Sequence, residues 1–140
     1  MGWLSGFLGS EWKRGNRRLG LAEKDGMSET STSTPIYQRA FQVLAHLGPI
    51  AARISSRDKD LASQFQRAAA SVLLNLAEGM GSSRGTRRAR YETSLGSARE
   101  TLAVLHLAKA WGYIGSAEDR AIDEMDHLVA VLVRFVRKAH

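Results

Sequence analysis

The sequence predicts an all-α protein: an antiparallel, up-down-up-down four-helix bundle that follows a flexible N-terminal leader. The composition changes near Pro35, because residues 1–35 hold six of the thirteen glycines and end in a run of hydroxyl side chains, which is typical of a linker. Residues 36–140 contain four segments in which apolar side chains recur every three or four positions, as in amphipathic helices. The short connections between these segments favour antiparallel neighbours.

The first predicted helix covers residues 36–55. Thr34 is its expected N-cap, with Pro35 at the first helical position. Pro49 lies inside the segment and leaves the carbonyl of Ala45 without a helical hydrogen bond, so we expect a bend there. The apolar stripe consists of Ile36, Ala40, Leu44, Leu47, Ala51 and Ile54.

Acidic and glycine residues mark the ends of the second and third predicted helices. The second begins with Asp58 or Asp60 in its first turn, where a carboxylate favours the helix dipole, and ends at Gly79 and Gly81. The third is expected to begin near Thr86 and to end at Gly112. The apolar stripe of the second helix is Leu61, Phe65, Ala68, Val72, Leu76 and Met80, and that of the third is Tyr91, Leu95, Ala98, Leu102 and Leu105.

The fourth predicted helix begins at Ser116, its expected N-cap, with Glu118 and Asp119 in its first turn. Both the third and the fourth helix carry apolar residues on more than one stripe. A bundle buries only one face of each helix, so the surplus favours self-association. The alternative is a large core with a few exposed apolar side chains, which proteins tolerate.

A set of small and polar residues on the second and third predicted helices forms a specific combination, R-x-A-x-S-V…N-x-A-E-G, then G-S-x-x-E and G-Y-I. Its polar and glycine members are Arg67, Ser71, Asn75, Glu78, Gly79, Glu100 and Tyr113. The pattern resembles the four-helix-bundle family encoded in intervening sequences of bacterial 23S rRNA genes, which includes the accessory variability determinant protein of diversity-generating retroelements. The resemblance covers residues 36–140 and is strongest over 64–114. The leader has no counterpart in the family pattern, and Pro49 stands where members usually continue the helix.

The resemblance implies a small bundle that assembles into a barrel-shaped homopentamer with a basic surface. The retroelement member binds nucleic acid and a partner reverse transcriptase, whereas most members have no assigned activity. We therefore expect a ring-forming binding protein that is not an enzyme and needs no cofactor.

The polar motif residues have two interpretations. Asn75 and Glu78 lie beside the apolar stripe of the second helix and Glu100 lies on the third, so the carboxylates are candidates for acid–base or metal chemistry. The alternative, which we favour, is a hydrogen-bonded structural network. The donors available to it are Arg67, Ser71 and Tyr113.

Glu124 and His127 match one carboxylate–histidine half-site of a ferritin-like di-iron bundle. A complete site needs two such half-sites and two further glutamates, and neither His106 nor His46 has an acidic residue three positions earlier. We therefore interpret the segment as a solvated face and predict no metal site. The sequence also contains no nucleophile–base set, phosphate loop or dinucleotide fingerprint, so an enzyme is not expected.

An arginine cluster is the best candidate for binding. Its members are Arg84, Arg87, Arg88 and Arg90. No acidic residue occurs between Glu78 and Glu92, and the start of a helix disfavours cations, so we predict binding of nucleic acid or another polyanion. The alternatives are a solvated turn and salt bridges to a neighbouring subunit. The second basic group, Arg134, Arg137 and Lys138, lies in a last helical turn, where the dipole already favours cations.

The leader and the overall composition complete the interpretation. Trp3, Leu4, Phe7 and Leu8 share one face of a short helix and predict docking to a membrane surface or a protein partner. The alternative is that residues 1–26 are a fusion or an upstream extension. The sequence has no cysteine and no apolar run of about 18 residues, so we expect a cytoplasmic protein with no membrane span.

Two functions therefore follow from the sequence. The first is an oligomeric accessory factor that binds nucleic acid through the arginine cluster. The alternative is a structural or assembly scaffold that the leader docks to a shell, a membrane or a protein partner.

Overall fold

The computed structural model describes residues 34–139, and this part of the chain is helical with no strand. Its α-helices are α1 (Pro35–Ala45), α2 (Gly48–Ser55), α3 (Lys59–Met80), α4 (Arg84–Ala110) and α5 (Asp119–Lys138). Because α1 and α2 together form one arm, these helices make the predicted four-helix bundle, and the fold class is confirmed. No helix between residues 34 and 139 is both long enough and apolar enough to span a bilayer.

Pro49 divides the first arm into two helices rather than bending one. After Ala45 the chain tightens, and the N–H of Leu47 donates to the carbonyl of Leu44 at 3.0 Å. The N–H of Ala51 then donates to the carbonyl of Leu47 at 2.9 Å and begins α2. The proline stands in the first turn of α2, where its missing N–H removes no helical hydrogen bond.

The helix starts agree with the sequence at α3 and differ at α4. Asp58 is the N-cap of α3, and its carboxylate accepts a hydrogen bond from the N–H of Leu61 at 2.9 Å. The prediction that α4 begins near Thr86 is wrong, because the helix begins at Arg84. Ser83 has the extended backbone of an N-cap, so Gly85 lies in the first turn of α4 and not in the connection before it.

The end of α4 follows the predicted glycine signal. Gly112 has φ of +74°, a left-handed conformation that favours glycine. Its N–H donates to the carbonyl of Lys109 at 3.0 Å, and that of Tyr113 donates to the carbonyl of Ala108 at 2.8 Å. This pair of hydrogen bonds is a Schellman motif, which satisfies the last carbonyls of the helix.

The start of α5 differs from the sequence prediction. Ser116 is not the N-cap, because residues Ser116–Glu118 form a 3₁₀ turn and the α-helix begins at Asp119. Glu118 caps the 3₁₀ turn: its carboxylate accepts the N–H of Gly115, the residue before the turn, at 2.8 Å and also pairs with Arg53. Glu118 is only 5% exposed, so its carboxylate lies against the core, whereas the side chain of Arg53 is mostly exposed.

The helices pack in chain order around one hydrophobic core. The first arm contacts α3, α3 contacts α4, α4 contacts α5, and α5 contacts α1. The largest fully buried apolar side chains are Phe65, Ile54, Leu76, Leu105, Met125, Leu128, Leu132 and Val72. Because neighbours are antiparallel, the starts of α1 and α4 lie at the same end of the bundle as the ends of α3 and α5.

Candidate functional site

Two contacts mark the end of the bundle at which α1 and α4 begin and α3 and α5 end. The ring centroids of Tyr91 on α4 and Phe135 on α5 are 4.7 Å apart, and the hydroxyl of Thr34 donates a hydrogen bond to the sulfur of Met80 at 3.3 Å. On α3 and α4 we take the Ser71–Ser97 hydrogen bond as the boundary between this end and the rest of the bundle.

We define the basic end as residues 34–39, 71–97 and 129–139. It holds eight Lys and Arg residues against Glu78 and Glu92, a formal charge of +6. The rest of the described chain holds seven Lys and Arg against eight Asp and Glu, a formal charge of −1. The cations of the basic end are Arg39, Arg84, Arg87, Arg88, Arg90, Arg134, Arg137 and Lys138.

This asymmetry does not depend on where α1 and α5 are divided. No Asp, Glu, Lys or Arg occurs between Arg39 and Arg53, or between Asp126 and Arg134. The fold therefore brings the arginine cluster, the three cations near the end of α5 and one arginine of α1 to one end of the bundle. The sequence analysis treated these groups separately, although the antiparallel topology that it predicted places them at the same end.

Arg84 and Arg88 present their side chains to solvent. They stand one helical turn apart, and Arg84 forms no hydrogen bond or ion pair with another described residue. The Nε of Arg88 lies 2.9 Å from Oε1 of Glu92, with both side chains about half exposed. An exposed pair of this kind contributes little free energy, so Arg88 remains available to another anion.

Arg87 holds the turn between α3 and α4. Its Nη2 donates to the carbonyl of Ser82 at 3.0 Å, and its Nε is buried with no partner among the described residues. The side chain also lies near Tyr91, where burial raises the pKa of the phenol and the positive charge of Arg87 opposes that rise. Arg87 is therefore less available to a ligand than Arg84 or Arg88.

Arg90 joins α4 to α3. Its Nε lies 3.1 Å from Oε2 of Glu78, and its Nη1 lies 3.5 Å from Oδ1 of Asn75. The amide of Asn75 in turn donates to the carbonyl of Ser71 at 2.9 Å and to its hydroxyl at 3.0 Å. Within the arginine cluster, Arg87 and Arg90 contact the α3–α4 junction, whereas Arg84 and Arg88 do not; Arg90 is exposed as well.

The first turn of α4 also presents backbone donors. No side chain caps its first N–H groups, and the turn contains no acidic residue. A side chain added at Gly85 would meet nothing within 4 Å, so the backbone there is open. Free N–H groups and the helix dipole both attract an anion at this position.

The polar motif residues form a seam between α3 and α4. The hydroxyls of Ser71 and Ser97 are 2.7 Å apart, and the buried hydroxyl of Ser94 donates to the carbonyl of Val72 at 2.7 Å. Gly79 permits the closest approach, because a Cβ there would lie 2.5 Å from Cε1 of Tyr91. This arrangement agrees with the structural interpretation of Ser71, Asn75, Glu78 and Gly79.

The remaining motif residues do not join that seam. Arg67 and Glu100 are exposed and border a polar cleft of about 410 Å³, with no ion pair between them. Tyr113 packs edge-on against Trp111, with centroids 5.8 Å apart, and lies under the guanidinium of Arg57. Neither Arg67 nor Tyr113 is therefore a donor to Asn75 or Glu78 in this structure.

Glu124 and His127 have different partners. Oε2 of Glu124 lies 3.0 Å from Nδ1 of His46, whereas the ring of His127 contacts Arg39. Burial acts to raise the pKa of Glu124, but His46 and Arg120 outweigh it, and the pKa is lowered. No group of three His, Cys, Asp or Glu residues suited to a metal ion occurs within residues 34–139.

The predicted docking residues Trp3, Leu4, Phe7 and Leu8 lie outside the described residues.

Among known proteins, a family model described as 23S rRNA-intervening sequence protein matches residues 32–134 of the chain. No curated protein and no solved structure gives a significant match. The family match confirms the resemblance drawn from the motif residues.

Proposed function

The chain belongs to the family of 23S rRNA-intervening sequence proteins, and from this premise we propose that it is a self-associating cytoplasmic protein that binds nucleic acid with its basic end. The family is not a known class of enzyme, which suggests a role without catalysis. The observation that carries the proposal is the placement of a formal +6 at one end of the bundle, while the rest of the described chain is close to neutral.

Phosphate is the part of a nucleic acid that this surface fits. Arg84 is in the uncapped first turn of α4 and Arg88 stands one turn later, so a phosphate bound there can accept hydrogen bonds from both guanidinium and backbone donors. Arg134 and Arg137 add positive charge from α5. Contacts of this kind bind the sugar–phosphate backbone of the nucleic acid and do not distinguish its bases, so we propose binding with little sequence preference.

Exposed apolar side chains support self-association. Leu74 is 61% exposed and borders an apolar groove of about 350 Å³ between α1 and α3, together with Phe41 and Leu73. Buried in a contact between copies, these side chains would favour a closed ring, and the homopentamer implied by the family is the form we propose. A ring repeats the basic end in every subunit and multiplies weak phosphate contacts.

The test is a pair of double charge reversals in the full chain. In Arg84→Glu/Arg88→Glu, binding of a fluorescent single-stranded RNA of about 20 nucleotides, measured by anisotropy in about 50 mM salt, should weaken by about tenfold or more. The matched control is Arg67→Glu/Arg99→Glu, which changes the net charge equally outside the basic end and should bind within about twofold of the parent.

Two results would contradict the proposal. One is a parent protein that does not bind RNA at low salt. The other is an equal loss of affinity in both double variants, which would mean that only the net charge matters. Circular dichroism and light scattering on each variant would establish that helicity and assembly are retained.

A further inference from the structure

A cleft of about 600 Å³ lies between α1 and α5 at the basic end. Its floor is apolar and is formed by Ile36, Val131 and Phe135. Its rim carries the cations Arg39, Arg134 and Lys138. The arginine cluster of α4 does not line this cleft, so Arg84 and Arg88 can be changed without changing a lining residue.

The lining residues follow the register of a helix groove. On α5 they stand at 131, 134, 135 and 138, and on α1 they include 35, 38, 39 and 42. Each set has spacings of three, four and seven, so each helix presents one face about 10 Å long, or two turns. A groove between two antiparallel helix faces accommodates a third helix laid along it.

The charge of the cleft is of one sign. No carboxylate lines it, and none of its three cations forms an ion pair with a described acidic residue. Nη2 of Arg39 lies 3.0 Å from Nδ1 of His127, which is not an acidic residue. A ligand that fills the apolar floor must therefore bring negative charge to both sides of the groove.

We propose that this cleft binds an acidic amphipathic helix of a protein partner. The apolar side chains of that helix cover Ile36 and Val131, and its Asp or Glu residues pair with the cations on the two rims. A nucleobase fits the floor less well, because bases stack on exposed aromatic rings. The single ring here, Phe135, is half-buried and already packs against Tyr91.

The probe is a fluorescent synthetic peptide of about 14 residues, helical, with leucines on one face and glutamates beside them. Its anisotropy is measured with the full-length protein in about 0.15 M salt, next to the same peptide with lysine in place of glutamate. We expect the acidic peptide to bind and the lysine peptide to bind at least about tenfold more weakly.

Three variants locate the binding. Arg134→Glu/Lys138→Glu should weaken the acidic peptide about tenfold or more, and the neutral floor variant Val131→Gln should weaken it severalfold. The control is Arg67→Glu/Arg99→Glu, with the same change in net charge. Neither arginine lines the cleft or belongs to the basic end, so affinity should stay within about twofold.

The outcomes separate the partners. Equal binding of both peptides, or an equal loss in the control, would overturn the proposal. A changed molar mass of the cleft variants in light scattering would overturn it in favour of a contact between copies. A loss of poly(U) affinity in the cleft variants, with no peptide binding in the parent, would assign the cleft to nucleic acid instead.

Discussion

Replacing Gly79 by alanine tests whether the α3–α4 seam depends on the absence of a side chain at that position. Gly79 is buried in the last turn of α3. An added Cβ would lie 2.5 and 2.7 Å from two ring carbons of Tyr91 and 3.2 Å from the Cβ of Arg90. Tyr91 is 5% exposed and packs against Phe135, so its ring has little room to move.

The free energies can be estimated from two opposing terms. Overpacking a well-packed site destabilises a protein by about 1–3 kcal/mol. Alanine gains up to about 1 kcal/mol over glycine inside a helix, and less in a last turn. We therefore expect Gly79→Ala to lower the free energy of unfolding by about 1–2 kcal/mol.

Gly96 provides the matched control. It lies inside α4, is exposed, and an added Cβ there would meet nothing within 4 Å. Gly96→Ala should therefore raise the stability by about 0.5–1 kcal/mol. Urea unfolding followed at 222 nm, at one protein concentration, compares the two variants with the parent. A Gly79→Ala protein as stable as the parent would refute the close packing of Tyr91 on α3.

Three further variants test the ion pairs of Glu118 and Glu124. Glu118→Ala should lower the free energy of unfolding by about 1–3 kcal/mol, because it leaves the N–H of Gly115 unpaired and removes the partner of Arg53. Glu118→Gln keeps an acceptor and should lose less in the same urea titration. The lowered pKa of Glu124 means that its carboxylate stabilises the fold above its ordinary pKa of 4.5 and loses that effect as pH falls through the lowered pKa. Glu124→Gln should therefore flatten the fall in stability below about pH 4.5, and an unchanged pH profile would contradict the His46 pairing.

The sequence predicts the helices well because their signals are local. Apolar spacing, Pro49 and Gly112 act within a few residues; Gly112 ends α4 as predicted, whereas Pro49 separates two helices where one bent helix was expected. The starts of α4 and α5 are predicted less well. Before α5, Glu118 closes a 3₁₀ turn and pairs with Arg53, 65 residues earlier, and no local pattern contains that second contact.

The candidate site was visible in the sequence only in part. The four arginines of α4 stand out as a run without acids, but their availability depends on side chains across the turn. Arg90 is paired by Glu78 from α3, and Arg87 is bound to the carbonyl of Ser82. The larger feature, a formal +6 at one end, joins segments far apart in the chain and emerges only from the antiparallel packing.

The salt dependence of RNA binding tests the central claim most directly. If the basic end binds phosphates, log K for single-stranded RNA should fall linearly with log salt, by about 0.7 for each phosphate neutralised. Arg84→Glu/Arg88→Glu should reduce that slope by the amount that corresponds to about two phosphate contacts, whereas Arg67→Glu/Arg99→Glu should leave the slope unchanged. A parent protein whose RNA affinity does not change with salt, or a slope that Arg84→Glu/Arg88→Glu leaves intact, would contradict the claim.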